Sequence, residues 1–457
     1  RLREGQVAVA ADIKAFFNQV LVPEDQADFL RYVWFENETM QKVAHFRMLC
    51  HIFGSVAAQA ASIVARNKSI MYASLAGVLS SQEAQSVLRK FYSDDFQGSY
   101  RNKEEAIEES KNLKRALSAG GFELTKFKSN VQDVVRQVCG DSGSKKVEEE
   151  TFVHVGPSDG TALGIGWDLQ DDTFRVLSRT KELQGPLTKR KLLSVLMSVF
   201  DPLGWISPFI LPMKLIMQQA SKVEPVISWD DPLPERIQTE ARLCMESLSN
   251  VSSIRIPRCY ASTLSSEIVS RQLIIYCDGS ESAYGASAYL RQVDSLGNIA
   301  SSLVMAKNRI HPSGQKLTIP RSELAGAVIA AKLADVLLRE LEDIDDVFFY
   351  TDSTSNLKYL KNTTKRFQVY VANRCNEIRG LTDLRNWYHV SGIENPSDIV
   401  TRPQILRQDE TFSDYTQWFM GPSWLRLPQS KWPEPVKVGG DVQEDDPEVV
   451  SCQINLI

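Results

Sequence analysis

Two adjacent acidic residues near one end of an apolar stretch are the part of this sequence best suited to chemistry. Residues 92–95 read Tyr-Ser-Asp-Asp, and we expect them at the tip of a β-hairpin. Neighbouring carboxylates repel each other, and a divalent cation commonly relieves that repulsion. A third carboxylate, Asp12, follows the apolar run 7–11, which predicts that it stands at a strand end. Three such carboxylates can hold two magnesium ions, about 3.5–4 Å apart, for phosphoryl transfer. The alternative is that Asp94 and Asp95 only shape a turn, because Asp favours turns.

Four further acidic residues stand at the ends of predicted strands or near the starts of predicted helices: Asp278, Glu323, Asp352 and Asp398. The predicted elements are strands at 273–277, 286–290, 347–351 and 386–390, and a helix from 320 to about 338. Each residue also has a structural explanation. Glu323 in a first helical turn complements the helix dipole. Asp352 and Asp398 are possible N-caps, and Asp278 is a possible hairpin-turn residue. Taken together, and in this order, the four are poorly explained by separate structural roles.

The N-terminal acidic set resembles the active site of reverse transcriptases. Asp12 followed five residues later by Phe17 is similar to their first acidic motif, and residues 92–95 are similar to their Tyr-x-Asp-Asp box. The resemblance implies that Phe17 lies under the sugar of the incoming nucleotide and selects deoxynucleotides, and it places Tyr92 at the substrate. It also implies that Lys126 lies near the leaving pyrophosphate. The alternatives are a core aromatic for Phe17 and a solvated surface lysine for Lys126.

Three longer runs narrow the resemblance to polymerases of BEL/Pao retrotransposons. Residues 120–130 and 187–194 are similar to segments of that family, and residues 200–208 read Phe-Asp-Pro-Leu-Gly-Trp-Ile-Ser-Pro, a run specific to it. The resemblance extends from Asp12 to about Arg402. It implies a polyprotein segment that copies RNA into DNA and degrades the RNA of the resulting hybrid.

The C-terminal acidic set resembles that of ribonuclease H. By this resemblance Asp278, Glu323, Asp352 and Asp398 converge on two Mg²⁺ or Mn²⁺ ions, as Asp12, Asp94 and Asp95 would in the polymerase part. The ions would activate a water and stabilise the leaving 3′-oxygen of the cut RNA strand. No covalent nucleophile is needed, and the sequence shows no Ser–His or Cys–His pair.

Composition is that of a soluble globular protein, with 457 residues, 43% hydrophobic and 24% charged residues, and a net charge of −5. The negative net charge argues against a surface that is basic overall, but it does not exclude a local basic groove that binds nucleic acid. Candidate contacts to the phosphate backbone of a nucleic acid are the basic runs 126–128, 179–181 and 189–191.

The seven cysteines include no Cys-x-x-Cys pair, so a structural zinc site is not indicated and free thiols are expected. The apolar stretch 192–217 is broken by Asp, Gly and Pro, which predicts a core segment rather than a membrane span.

These patterns predict an α/β (α+β) protein. The expected regions are a partial right-hand polymerase palm and thumb at 1–132, a connection region at 150–265, a ribonuclease H-like domain at 270–405 and an acidic linker at 432–457. A polar loop is predicted at 141–146. The nuclease domain is expected to contain a mixed five-stranded sheet with flanking helices. The chain starts at Arg1, close to a catalytic motif, and is therefore expected to be an internal piece of a longer polyprotein.

The implied partners are an RNA template, an RNA–DNA hybrid, a primer and deoxynucleoside triphosphates, with the protease and integrase of the same polyprotein as further partners. The expected location is a cytoplasmic virus-like particle, with a nuclear stage and no membrane.

Two departures from the family weaken the polymerase expectation. Only eleven residues precede Asp12, so a fingers region is not seen, and residues 55–59 replace the usual Ser-Ser-Pro-like turn. Two alternatives remain open. One is an inactive or domesticated remnant that binds nucleic acid, against which the presence of all seven acidic residues argues. The other is a stand-alone ribonuclease H-fold nuclease.

Overall fold

The computed structural model describes residues 1–36, 41–140, 164–177, 185–314, 317–434 and 441–450, and the backbone of 152–155. The chain forms two compact units, one of Arg1–Val153 with Leu169–Asp171 and the other of His154–Asp168 with Asp172–Ile457. The polar loop predicted at 141–146 and the basic run at 179–181 lie outside the described residues.

The first unit is a four-stranded sheet with helices packed against it. Its strands are β1 (Val7–Ile13), β2 (Arg31–Phe35), β3 (Val43–Arg47), β4 (Phe91–Tyr92), β5 (Asp95–Tyr100) and β6 (Leu124–Ser129). Its helices are α1 (Ala58–Leu75), α2 (Ser81–Leu88), α3 (Lys103–Ala119) and α4 (Gln132–Cys139). The sheet order is β4-β5-β1-β6, while β2 and β3 form a separate exposed hairpin.

The sequence of the first unit explains where its elements begin and what they bury. Helix α2 starts at a capping box in which Ser80 and Glu83 each satisfy the other's backbone N–H, and the Asn102 side chain caps α3. The apolar residues of β1 pack with those of the helices in one core that includes Val9, Phe96 and Leu113. Burial of this apolar face fixes the strand register, because a slip of one residue would turn it to solvent.

The second unit holds the remaining elements. Its strands are β7 (Phe152–Val155, at the boundary of the units), β8 (Ile165–Asp168), β9 (Thr173–Val176), β10 (Ile256–Pro257), β11 (Ile268–Gly279), β12 (Ala283–Asp294), β13 (Ile299–Ile310), β14 (Asp346–Thr351) and β15 (Trp387–His389). Its helices are α5 (Lys189–Ser198), α6 (Ser207–Ala220), α7 (Glu235–Asn250), α8 (Ile319–Glu340), α9 (Thr354–Lys361), α10 (Val369–Leu381), α11 (Ser397–Thr401) and α12 (Thr416–Met420).

A mixed five-stranded sheet forms the centre of the second unit, as predicted. Its order is β13-β12-β11-β14-β15, with the β11–β12 and β12–β13 pairs antiparallel and the β11–β14 and β14–β15 pairs parallel. Helix α8 covers one face of the sheet through a stripe of small and apolar side chains that includes Leu324, Ala327 and Ala331. A smaller sheet has the order β10-β9-β8-β7.

The run at 200–208 has a structural role in this unit. The Asp201 carboxylate accepts the backbone N–H groups of Trp205 and Ile206, each at 2.9 Å, just before α6 begins. Gly204 has φ of +70°, and a Cβ there would lie 1.9 Å from the Ala306 carbonyl oxygen. The Ala306 N–H donates to the Leu203 carbonyl at 2.8 Å, so the run covers the edge of β13. The regions expected at 150–265 and 270–405 thus share one compact unit.

Two other expectations meet the structure here. The stretch 192–217 is divided between α5 and α6, with Pro212 inside α6, and no helix of the described residues is both long and apolar enough to span a bilayer. Residues 441–450, expected within a linker, instead pack on the second unit, where Val442 is buried. The six cysteines of the described residues are free thiols.

Candidate active sites

Strand pairing brings the three acidic residues of the first unit to one end of its sheet. In the antiparallel β1–β5 pair, Asp12 stands opposite Asp95. The Ile13 N–H donates to the Asp94 carbonyl at 3.1 Å, and Tyr92 stands opposite Asp95 across the β4–β5 hairpin. The hairpin tip predicted at 92–95 is therefore present, and it lies directly beside the end of β1.

The charges of this first cluster are strongly coupled. Burial and, next, the charges of Asp94 and Asp12 raise the pKa of Asp95 to about 6, and the charge of Lys126 opposes the change. Lys126 forms an ion pair with Asp12, with Nζ 2.8 Å from Oδ2. A half-buried carboxylate whose pKa is raised by burial and by acidic neighbours is a natural place for a cation.

Arg66 of α1 is a site residue that the motif comparison missed. Its guanidinium is buried, lies 4.5 Å from the centre of the Phe91 ring and donates to the Ser93 carbonyl at the hairpin tip. Burial lowers its pKa to about 10, against the opposing influence of Asp94. One sequence signal was available: Arg66 falls on the same helical stripe as Ser62 and Ile70, at a spacing that predicts burial.

Backbone strain is concentrated at the first cluster. Among the described residues, five non-glycine residues have positive φ, and Ala15 (+49°), Ser93 (+54°) and Lys126 (+52°) all lie in or next to the acidic motifs. Such conformations cost about 1–3 kcal/mol each and commonly accumulate at functional sites.

The three residues predicted to contact substrate occupy different environments. Phe17 is half-buried, with its ring 4.8 Å from that of Phe53 in an edge-on contact. The Tyr92 side chain is exposed, and Lys126 is exposed apart from its contact with Asp12. Their roles toward a nucleotide stay predictions.

The second cluster is built at the carboxyl ends of two neighbouring parallel strands. Cys277 of β11 is paired with Thr351 of β14, so the next residues, Asp278 and Asp352, emerge side by side. Helix α11 carries Asp398 and contacts both β11 and β12.

Two glycines let the helix that carries Glu323 approach β11 closely. A Cβ at Gly279 would lie 2.2 Å from the backbone nitrogen of Glu323, and a Cβ at Gly326 would lie 2.4 Å from the Asp278 carbonyl oxygen. Any side chain at either position would push α8 away from the strand. The short distance between the backbones is what places Glu323 beside Asp278.

The pKa values of all four carboxyl groups are raised. Burial is the main cause in each case. Burial together with the charge of Asp352 raises the pKa of Asp278 to about 6 and that of Glu323 to about 7. The pKa values of Asp352 and Asp398 are also raised, by burial first, while Arg402 opposes the change at Asp398.

Three polar residues that the sequence did not single out support this cluster. The Thr401 hydroxyl donates to Oδ2 of Asp278. The Asn395 amide donates to the Cys277 carbonyl at 3.0 Å and also lowers the pKa of Asp352. His389 contacts the Asp352 carbonyl with Nε2 at 3.2 Å. Thr401 and Asn395 flank Asp398 by three residues on each side, which is the only sequence signal for them.

The donor set fits a hard divalent cation. It consists of carboxylate oxygens, and Oδ1 of Asp352 is buried without a hydrogen-bond partner among the described residues. As the side chains stand, however, no three His, Cys, Asp or Glu residues in the described ranges could hold a metal ion together. Asp12 is paired with Lys126 and Asp398 with Arg402 at 2.7 Å, so bound ions would have to displace these partners.

Comparison with known proteins gives the relationship of the second unit. Residues 188–353 match the model of the Pao retrotransposon-like RNaseH-like domain. This part of the chain is therefore similar to that retrotransposon domain. The match contains the run at 200–208 and the residues Asp278, Glu323 and Asp352, while Asp398 lies beyond it. It also crosses the boundary that the sequence predicted near 265–270, in agreement with the single compact unit.

A solved structure resembles most of the chain in fold. It is the foamy viral protease-reverse transcriptase dRH in complex with ds DNA, with a TM-score of 0.50 and 13% sequence identity. The alignment covers 85% of this chain and 58% of that chain, so this chain spans less than two thirds of its length. At this identity the likeness concerns fold alone. Among curated proteins, no match was found. The Pao retrotransposon-like domain and the reverse-transcriptase fold confirm the predicted relationship and fold class.

Proposed function

We propose that the second unit is a metal-dependent nuclease that cuts the RNA strand of an RNA–DNA hybrid. The observation that carries the proposal is the second cluster, in which Asp278 and Asp352 emerge from adjacent parallel strands and α8 brings Glu323 against them. Four neighbouring carboxyl groups with raised pKa values, held by packed elements, are a costly arrangement that a structural role does not require.

In this proposal the four carboxylates hold two Mg²⁺ or Mn²⁺ ions, which when bound would activate a water and stabilise the leaving oxygen. The protein's own contribution is to fix the carboxylates. Thr401 holds Asp278 by a hydrogen bond, and the glycine contacts fix the position of Glu323. Arg402 forms an ion pair with Asp398 and favours its charged form, and a cation held by Asp398 would replace this partner.

The location of the cluster suits a polymer rather than a small molecule. None of the four carboxylates lines the groove of about 800 Å³ bounded by α5, α6, α8 and β13. Asp352, Glu323 and Asp398 are half-buried at the end of the sheet, where a long substrate can lie across them. Small-molecule sites are commonly enclosed pockets.

We further propose that the first unit is the polymerase part of a retroelement reverse transcriptase. The register of Asp12 with Asp95 and the hairpin tip at 92–95 support this role. The partners would be an RNA template, a primer and deoxynucleoside triphosphates, within a cytoplasmic particle and beside other parts of a polyprotein.

A cleavage assay tests the nuclease proposal. The chain is mixed with a labelled RNA–DNA hybrid and magnesium or manganese, and RNA fragments are measured. Asp352→Asn should lower the rate by more than about 100-fold, because even supporting residues of metal sites contribute about 10–100-fold. The matched control is Asp335→Asn, which removes the same charge from an exposed ion pair with Arg339 on α8 and should cleave normally. Cleavage by Asp352→Asn at the control's rate would refute the assignment.

A further inference from the structure

The acidic segment at residues 441–450 is bound to the second unit by charged side chains. Glu448 forms a two-pronged ion pair with Arg321, with oxygen–nitrogen distances of 2.6 and 2.9 Å, and its side chain is 5% exposed. Asp446 accepts the Tyr359 hydroxyl, with distances of 2.9 and 3.2 Å to its two oxygens. The segment is thus docked through its carboxylates.

Backbone contacts complete the docking. Val449 bridges to Phe367, the Gln368 N–H donates to the Glu448 carbonyl at 2.7 Å, and the Val450 N–H donates to the Arg366 carbonyl at 2.9 Å. The segment therefore lies along residues 366–368 like a short added strand.

The surface under the segment is cationic. Lys365 donates to the Val442 carbonyl, and Arg366, whose carbonyl accepts the Val450 N–H, has an exposed side chain. Within residues 441–450 the chain carries five acidic residues: Asp441, Glu444, Asp445, Asp446 and Glu448. An acidic chain thus lies along a row of basic residues, and one of its carboxylates meets an arginine in the two-pronged geometry by which arginine also binds phosphate.

Two helices connect this surface to the second cluster in the chain. Arg321 is in the first turn of α8, two residues before Glu323, and residues 361–368 follow α9, the helix that begins just after Asp352.

We propose that Arg321, Lys365 and Arg366 form a binding surface for the phosphate backbone of a nucleic acid, and that residues 441–450 occupy this surface as a competing anion. The inference rests on the proposed function in taking nucleic acid as the substrate of this unit. Exchange of Glu448 for a phosphate leaves Arg321 paired with an anion. The segment would then weaken nucleic-acid binding until it is displaced.

Binding of a labelled RNA–DNA hybrid to the full chain, in EDTA so that no cleavage occurs, tests the proposal. The variant is Asp446→Asn with Glu448→Gln, which removes the two docked carboxylates. The matched control is Glu444→Gln with Asp445→Asn, which removes the same charge from two exposed residues of the segment. Both reduce general repulsion, but only the first frees the basic surface.

The docked-pair variant should bind about tenfold more tightly than the control. A plot of the logarithm of its affinity against the logarithm of the salt concentration should have a slope that is steeper by about one to three. Each phosphate that the protein newly contacts adds about 0.9 to the magnitude of this slope. Equal affinities and slopes for the two variants would overturn the proposal and leave the segment a fixed structural strap.

Hydrogen exchange of the unaltered chain gives a second measurement that does not depend on a variant folding. Competition is reciprocal, so the bound hybrid should speed exchange at the amides of Gln368 and Val450. Unchanged or slower exchange at both amides, with the hybrid bound, would contradict competition. The cleavage assay is separate from these readouts, so a chain that binds as expected but does not cut would refute the nuclease function and leave this surface standing.

Discussion

At the scale of single residues, the carboxyl groups of the second cluster can bind either a proton or a cation near neutral pH. Burial raises the pKa of Glu323 to about 7 and that of Asp278 to about 6, so both are partly protonated near neutral pH. The Thr401 hydroxyl opposes this change at Asp278, because it donates to the charged form. Thr401 should therefore influence how the rate of any metal-dependent reaction falls as the pH is lowered.

Thr401→Val should move this acidic fall in the reaction rate to higher pH. Valine matches the shape of threonine but cannot donate, so the charged form of Asp278 loses a hydrogen bond worth about 1.5–3 kcal/mol, and 1.36 kcal/mol corresponds to one pKa unit. The pH at which hybrid cleavage reaches half its maximum should therefore rise by about one unit. Thr401→Ser keeps the hydroxyl and serves as the control, and the same pH profile for the valine and serine variants would contradict this role.

The sequence could predict the acidic residues but not their supporting contacts. Asp12, Asp95, Asp278 and Asp352 follow or end apolar runs whose strand character is local, and their neighbours in the fold are set by strand pairing. The contacts of Arg66 with Ser93 span 27 residues, and that of Thr401 with Asp278 spans 123. No local pattern encodes such distant partners, so these residues became visible only in three dimensions.

At the scale of elements, the position of helices relative to strands determines whether the carboxylates meet. Gly279 and Gly326 remove the side chains that would separate α8 from β11. The sequence predicted both elements nearly to their ends, since a helix from 320 to about 338 is observed as Ile319–Glu340. It did not predict how closely they pack, because a glycine inside a helix is ordinarily only a weak point.

Gly326→Ala should separate α8 from β11 and lower both stability and cleavage. Its Cβ would lie 2.4 Å from a backbone oxygen that cannot move aside as a flexible side chain would. We expect a loss of about 1–3 kcal/mol from overpacking, together with reduced cleavage because Glu323 is displaced. Thermal melting and the hybrid assay measure the two effects.

Gly380→Ala is the matched control for that change. Gly380 lies in α10, where nothing is within 4 Å of an added Cβ, so alanine should be neutral or stabilise by about 0.5–1 kcal/mol. If Gly326→Ala behaved like Gly380→Ala, the close approach of α8 to β11 would not be what places Glu323.

In the first unit, α1 holds the β4–β5 hairpin through Arg66. Arg66→Met keeps most of the side-chain volume but removes the hydrogen bond to Ser93 and the positive charge near Asp94. We expect a loss of about 1–3 kcal/mol of stability and weaker binding of Mn²⁺ by the first unit, measured by melting and by paramagnetic titration. Lys68→Met, at an exposed position of the same helix, should leave both unchanged. Equal Mn²⁺ affinity for the two variants would show that Arg66 does not position the hairpin.

At the scale of the whole molecule, each compact unit carries one cluster of carboxylates, and both clusters share the same electrostatic problem. In each, at least one carboxyl group has its pKa raised by burial and by its acidic neighbours: Asp95 in the first unit, and Asp278 and Glu323 in the second. Protons and cations are two ways to relieve the same repulsion. Their effects on stability should therefore depend on each other.

Without metal, these groups should favour the folded state at low pH. Their folded pKa values, about 6 to 7, lie above the ordinary values of 3.8 for Asp and 4.5 for Glu. Between these limits the folded state binds more protons than the unfolded state, so this contribution to stability is full near pH 4 and is lost as pH rises through 6 to 7. The free energy of unfolding is compared with that of the Asp278→Asn, Glu323→Gln variant, which separates the contribution of these two groups from that of the other ionisable groups. The difference in favour of the unaltered chain should shrink from pH 5 to pH 8.

Magnesium or manganese should reverse that loss. A cation binds the ionised carboxylates, so at millimolar concentration it should raise the melting temperature more at pH 8 than at pH 5, with about 2.7 kcal/mol of stabilisation at a hundredfold excess over the dissociation constant. Asp95→Asn should remove the part of the rise that belongs to the first unit, and Asp278→Asn with Glu323→Gln the part that belongs to the second. A metal-dependent rise that is the same at both pH values, or that persists when all three residues are changed, would mean that cations bind elsewhere, and neither cluster would then be a metal site.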